Sequence, residues 1–286
     1  MNKKSKITVI ILTHDSYTTK CGSIEFVVTS YLNQKNSDCI EIIVINNSSN
    51  KDDTKKLKLF AKKYPNLKII DCDLTVGGAR NLGAREATSD ILLFTEDDTI
   101  PLQDNITEII FSIFSSNNTY AYGANRGWSK DLFWVNDNRQ TIINSLIEKK
   151  YSYLKNNLIV PDPAIRNKNE KSQKVLLKSF IGNFGVIHKK MFEEIGGFPL
   201  YPGYACEDDA FAFLCFLALG RPVILNSVEL MHLSHPITEI KEAEYQRNRL
   251  RYAELLNSKG YSAFHITRLL FPNSNNSPIL ERILKT

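Results

Sequence analysis

Residues Ile91 to Pro101 read ILLFTEDDTIP. Four apolar residues suit a buried strand, and Glu96, Asp97 and Asp98 follow at its carboxyl end before a Thr and a Pro close it. Like charges this close raise one another's pKa unless a cation or hydrogen bonds compensate. An acid triplet standing alone is most often a solvated turn. In an open α/β sheet, however, ligands sit outside the carboxyl ends of the strands. The flanking sequence decides between these two meanings.

Upstream, strand and helix patterns alternate, which predicts a mostly parallel α/β sheet. Ile7 to Thr13 is a continuous apolar strand, and Ile24, Val27, Val28, Tyr31 and Leu32 mark one face of a helix. Glu41 to Ile45 is a second strand, Asp52 or Asp53 a cap for the helix through Leu57 and Phe60, and Leu67 to Ile70 a third strand. Gly77-Gly78 break the chain before a short helix through Arg80, Asn81 and Ala84; Ile91 to Thr95 is the fourth strand. Four polar loops then share one sheet edge: Thr13-His14-Asp15, Asn46 to Ser49, Gly77 to Gly83, and Glu96 to Asp98. Such a rim suits a nucleotide, with short side chains for base and ribose, Arg80 for charge and acids for a metal-bound diphosphate.

Downstream the regularity fades. A helix through Ile106 to Ile113 and a strand at Tyr120 to Ala124 precede a polar, aromatic segment, 125–178, with one helical stretch from Ile142 to Leu154. Irregular segments within an ordered frame are where substrate loops are expected. Ser179 to Ile187 reads as strand, Glu207 to Leu219 as an apolar helix, Pro222 to Asn226 as strand, and Glu239 to Asn257 as an Arg-bearing helix. The expected organisation is one domain over 1–260, with a nucleotide half to residue 100, an acceptor half from 101, and a tail over 261–286.

With 43% apolar and 23% charged residues the chain has the makings of an ordinary globular core. A net charge of +5 with interspersed signs argues against a nucleic-acid partner and suits small anions. Five scattered cysteines without a CxxC pair argue against a disulfide framework or zinc, and point to a reducing, cytoplasmic compartment. The N-terminal apolar run is β-branched and short, so it reads as a strand rather than a leader. No segment is long enough to span a bilayer; contact of the C-terminal apolar run, Phe264 to Phe271, with an inner membrane face stays open, as does the oligomeric state.

Taken in order, the motifs resemble the family 2 glycosyltransferases. VIILTHD is similar to that family's first strand and donor-base loop, SYLNQ (Ser30 to Gln34) to the end of its first helix, and VINNSSNKDDT to its second-strand motif. GGARNLGA (Gly77 to Ala84) resembles a shortened G-x-A-x-A-R-N-x-G element, and FTEDDTIP stands at the D-x-D metal motif. GNFGVIHKKMFEEIGGF (Gly182 to Phe198) is similar to the acceptor-side block, and CEDDAF to the E-D motif that supplies the base.

The resemblance implies a GT-A fold, Rossmann-like and mostly parallel with flanking helices, and metal-dependent, inverting transfer from a nucleotide-diphospho-sugar, in the first instance a UDP-sugar. It implies that Asp98 and Glu96 hold Mn²⁺ or Mg²⁺, with Glu96 in place of the usual first Asp, and that His232 reaches the metal or diphosphate. Asp97, facing the other way on an extended chain, would reach the ribose. Thr13, His14 and Asp15 would line the donor, with Gly78 and Arg80 at its charged end. Asn46 stands where an Asp usually meets the base; an Asx-turn at the strand end is an equal alternative. Among Glu207, Asp208 and Asp209, Asp208 is chosen as base with Asp209 its close rival, although acids opening a helix also serve as caps. His235, like any lone surface His, has less support than His232. Tyr201, Tyr204, Trp128 and Trp134 are acceptor-side aromatics, and Arg247, Arg249 and Arg251 read as a solvated face.

Two rivals belong to other classes. A sugar-nucleotide pyrophosphorylase would need a Gly-rich basic loop after the first strand, which THDSYTTK does not provide. A non-catalytic nucleotide-sugar-binding scaffold would not need Glu207-Asp208-Asp209. The sugar and the acceptor (glycan, lipid-linked or peptide) are left open by the sequence.

Overall fold

The computed structural model describes residues 6–116, 120–129, 139–161, 184–203, 206–220, 222–233 and 239–261. Trp134, Tyr204, His235, residues 179–183 and the tail beyond 261 lie outside the described residues, and so does much of the irregular 125–178 segment.

The N-terminal strands form as their patterns predict. β1 (Ile7–Thr13) pairs in parallel with β2 (Ile40–Asn47) on one side and β4 (Ile91–Glu96) on the other, and β3 (Leu67–Cys72) extends the sheet from β2. Both faces of β1, β2 and β4 are covered, so these strands alternate between two cores, while the edge strand β3 leaves Lys68 and Asp71 exposed. Ile7, Val9, Ile11, Ile42, Val44 and Leu93 share one cluster with α2 (Ser23–Leu32), α3 (Lys51–Ala61) and α5 (Ile106–Phe114). The intervening Ile10, Ile43, Ile45, Leu92 and Phe94 share the other with α4 (Val76–Glu86), α8 (Lys189–Ile195) and α9 (Glu207–Leu219). α4 lies tight on the sheet, since a Cβ at Gly83 would come 2.5 Å from Ile10 Cγ2.

Beyond β4 the sheet becomes mixed. β8 (Gly185–His188) runs antiparallel to β4, and β6 (Tyr120–Ser129) antiparallel to β8. β9 (Val223–His232) lies parallel to β6, β5 (Thr99–Pro101) closes the edge antiparallel to β9, and β7 (Ile159–Pro161) pairs with β6. The order is β3-β2-β1-β4-β8-β6-β9-β5, and the longest ladders are the parallel ones. Among the described residues no helix is long and apolar enough to cross a membrane.

Several local expectations change. Asn50, not Asp52 or Asp53, caps α3: its side chain accepts from the N–H groups of Asp52 and Asp53, which form the first turn. Gly77-Gly78 do not break the chain; they lie inside α4, whose cap is Thr75. The single helix expected over Ile142 to Leu154 is two, α6 (Arg139–Ile147) and α7 (Tyr151–Leu158), parted at Lys149 with φ +57°. β9 continues past Asn226 to His232, so that histidine ends a strand rather than following one. α10 (Glu239–Ser258) packs Tyr252, Ala253 and Leu256 against Ala210 and Phe213 of α9. Arg247 on it is exposed, while Arg249 and Arg251 are half-buried.

Candidate active site

Register brings the polar strand ends together. Thr13 lies opposite Asn46, Leu12 opposite Glu96, and Asn46 opposite Asp71. The acids end β4 differently from the sequence expectation. Asp97 and Asp98 form a tight turn into β5 rather than an extended strand, so they do not face opposite ways. Thr13 Oγ1 donates to Asp97 Oδ2 at 2.5 Å. Lys20 Nζ lies 2.6 Å from Asp97 Oδ1 and 2.8 Å from Asp98 Oδ2, binding both acids at once. Both carboxylates are buried.

Lys20 is the residue that sequence reasoning missed. It caps α1 (Ser16–Thr19), after which Cys21 and Gly22, both left-handed, turn the chain into α2. Arg139 of α6 fixes that turn from behind, donating to the Cys21 carbonyl at 2.6 Å and pairing with Glu25 at 2.6 Å. Burial works against the Lys20 charge, but Asp97 and Asp98 overcome it and hold the ammonium above lysine's ordinary pKa. The signal available in sequence was a lone lysine in the first loop facing three acids at the neighbouring strand end.

His232 reaches the same acids through β5. Thr99 pairs with His232, and the Leu233 N–H donates to the Asp98 carbonyl at 2.7 Å. His232 Nε2 then lies 3.5 Å from Asp98 Oδ1. Glu96, Asp98 and His232 each offer one ligand atom, and these atoms all lie within 4.8 Å of one another. Two carboxylate oxygens and one imidazole nitrogen fit a divalent cation such as Mn²⁺ or Mg²⁺. The Glu96 carboxyl is pushed up to about 7, first by burial and then by Asp98, with Arg80 and Lys20 pulling the other way.

Arg80 joins this turn to the second acid cluster. From α4 its guanidinium pairs with Glu207 at the start of α9 and lies 3.2 Å from Glu96 Oε1, over the Phe198 ring. The residue is buried, as is Glu207. Burial raises the Glu207 carboxyl and Arg80 opposes that rise. Asp208 and Asp209 are half-buried, with Asp208 Oδ1 accepting the Asp209 N–H at 2.9 Å. Cys206, just before them, takes φ +67°, which turns the chain sharply into α9. On the other side α4 is pinned by Asn81, which exchanges two hydrogen bonds with Phe198, and by Gly77, where any Cβ would meet the Pro199 carbonyl.

The remaining rim residues hold one another. Asp15, at φ +48°, accepts from the Asn50 backbone and side chain, and its own N–H donates to Ser49 Oγ, tying the first loop to the second. His14 is mostly exposed, with Nδ1 2.8 Å from the Asn47 carbonyl oxygen. Asn46 is buried and makes no Asx-turn; its Nδ2 donates to Thr54 Oγ1 and Asp71 Oδ1 at 3.0 and 2.8 Å. The Gly78 N–H donates to Thr75 Oγ1, so that amide is taken up by the helix cap. Tyr201 is half-buried against the Cys206–Phe213–Tyr252 cluster. Trp128 pairs through its backbone with both Val160 and His232, which places it beside the triad strand.

Comparison with known proteins places the chain in a family and a fold. The family model described as glycosyl transferase family 2 matches residues 8–196, most of the chain. Similar solved structures include TarS 1–349 of S. aureus, at 14% identity over 93% of this chain and 69% of that one, with a TM-score of 0.61. A mannosyltransferase, PcManGT of Pyrobaculum calidifontis, in complex with GDP-Man and Mn²⁺, is 15% identical over 99% and 69% of the two chains, TM-score 0.56. GalNAc-T7 with UDP, GalNAc and Mn²⁺ is 14% identical over 100% and 55%, TM-score 0.62. At such identities the likeness is one of fold, here the GT-A fold. No curated protein sequence matches. A family match spanning the first strand, the acid turn and the acceptor-side block leaves one conclusion: the chain is a glycosyltransferase that belongs to glycosyl transferase family 2.

Proposed function

We propose that the protein moves a sugar, with inversion at C1, from a UDP-sugar to a hydroxyl of a glycan, lipid-linked or peptide acceptor, with a divalent cation held by Glu96, Asp98 and His232. One observation carries this reading. The guanidinium of Arg80 pairs with both Glu96 and Glu207, so the acid turn of β4 and the acids of α9 face one reaction space. When bound, the cation supplies Lewis-acid neutralisation of the departing diphosphate. Thr13 and Asp97 line the donor side, and the exposed ring of His14 flanks it. Asp208 takes the proton of the attacking hydroxyl, with Asp209 its alternative; both are half-buried and so remain open to an acceptor. Glu207, committed to Arg80, positions that pair. TarS in complex with UDP-GlcNAc and GalNAc-T7 with UDP make uridine the first donor class to try, and PcManGT with GDP-Man the second.

The test is to incubate the protein with UDP- and GDP-sugars, Mn²⁺ and short glycan acceptors, and to follow nucleoside diphosphate release and the anomeric proton by NMR. Metal-dependent release with inverted configuration is expected. A product of retained configuration, or release that survives chelation of the metal, would sink the reading.

A further inference from the structure

We propose that Lys20 is the resident counter-cation of the acid turn: it keeps Asp97 and Asp98 folded before a divalent cation arrives, and it weakens that cation's hold. The inference rests on the metal assignment above and concerns how that same site is tuned.

The ammonium spans both acids of the turn, at 2.6 and 2.8 Å, and only 17% of its side chain is exposed. Its position is built. The left-handed pair Cys21-Gly22 reverses the chain behind it, and Arg139 clamps the Cys21 carbonyl. Three carboxylates in succession meet two cations here, Lys20 and Arg80, and Arg80 is shared with Glu207. Of these two cations, Lys20 therefore pairs within this triplet alone. Without it Asp97 and Asp98 would be two adjacent buried carboxylates in mutual repulsion.

The same contact sets the metal affinity. Asp98 gives Oδ2 to Lys20 while its Oδ1 faces His232, so one carboxylate serves the ammonium on one side and the triad on the other. A cation held by the triad is separated from an ammonium by a single carboxylate and is repelled by it. Whether Lys20 stays or is displaced, the ammonium subtracts from the affinity. A merely structural lysine predicts the opposite: its loss would loosen Asp98 and weaken the metal.

The experiment uses the full chain without donor. Mn²⁺ is titrated calorimetrically into wild type, Lys20→Met, Lys20→Arg and His232→Ala, with thermal melts in parallel with and without Mn²⁺. Lys20→Met is expected to bind Mn²⁺ roughly tenfold tighter or more, to melt lower than wild type in chelator, and to recover in saturating Mn²⁺. Lys20→Arg keeps the charge and should bind as wild type does. Equal or weaker Mn²⁺ binding by Lys20→Met overturns the inference while leaving the metal site intact. Should Lys20→Met show no folded signal in chelator, millimolar Mn²⁺ must restore its circular dichroism, and failure to do so also overturns the inference. If wild type and Lys20→Met both ignore Mn²⁺, or His232→Ala binds it as wild type does, the metal assignment itself falls and this inference with it.

Discussion

The two acid triplets of the site share one sequence, Glu-Asp-Asp, but are neutralised by different means. Glu96-Asp97-Asp98 ends a strand, where no helix dipole assists, and side-chain cations hold it: Lys20 on Asp97 and Asp98, Arg80 on Glu96. Glu207-Asp208-Asp209 forms the first turn of α9, where backbone N–H groups already favour negative charge. There only Glu207 is buried, paired with Arg80, while Asp208 and Asp209 stay within reach of solvent. The first arrangement packs its charge beneath side-chain cations; the second keeps two of its three carboxylates half-buried at the mouth of a helix, the setting the proposed base requires. Arg80 is the part they share.

The largest effect should come from the triplet that ends β4. Asp98→Ala removes a residue that touches Lys20, lies beside His232 and belongs to the triad, so nucleoside diphosphate release with saturating donor and Mn²⁺ should fall by about 10³-fold. A variant that keeps a tenth of wild-type turnover would remove Asp98 from the metal. Next comes the triplet that opens α9, the proposed source of the base. Asp208→Asn should lower kcat by roughly 10²- to 10⁴-fold with the donor KM little changed, and Asp209→Asn by less. The reverse ranking would exchange the two roles, and equal, small losses would place the base elsewhere.

Most of one triplet's setting was legible in the sequence, and little of the other's. The four strand ends could be placed together because each strand is a continuous apolar run followed by polar residues, and parallel pairing aligns such ends without further information. His232 was found by resemblance alone: its strand runs six residues beyond where the apolar pattern of Pro222 to Asn226 stops, and it is the β5 pairing that brings it to Asp98. Lys20 left only a faint signal in the sequence, and the Arg80–Glu207 pair left none. Lys20 sits in a short threonine-rich turn without periodicity, and the Arg80 contact spans 127 residues. Such contacts depend on how α4 and α9 meet over the Phe94, Phe192, Phe198 and Phe211 rings, which no local pattern encodes.

Because Arg80 serves both triplets, its removal should blur the contrast between them. Arg80→Met leaves two carboxylates, one of them fully buried, without their cation, and should cost about 3–5 kcal/mol of stability. For a chain of this size that is a fall of roughly 10 °C in Tm, read by calorimetry. Glu207→Gln keeps an acceptor for the guanidinium and should cost less. In a double-mutant cycle the two changes should couple strongly. Additive losses would show that Arg80 and Glu207 act independently and that the clusters are not joined through them.

Asp53 provides the control for both triplets: a buried carboxylate held by hydrogen bonds, with no ion pair among the described residues. It accepts from the backbone N–H groups of Tyr17 and Thr18 at 2.7 and 3.0 Å and from Thr18 Oγ1 at 2.7 Å, fastening the start of α1 to α3. Burial alone would raise its pKa, but these donors outweigh burial and hold it below the ordinary carboxylate value. A carboxyl with a depressed folded pKa adds stability above its unfolded pKa, and that stability is lost as pH falls through the folded value. Asp53→Asn should therefore destabilise the protein by about 1–3 kcal/mol at neutral pH. The gap from wild type should narrow as pH falls below about 4, the ordinary range for Asp. Denaturant melts across that range read it directly. A gap independent of pH would mean that Asp53 acts through shape rather than charge. Removing a carboxylate would then be costly even where no charge is at stake, and the losses at Asp98 and Asp208 would have to be judged against that larger background.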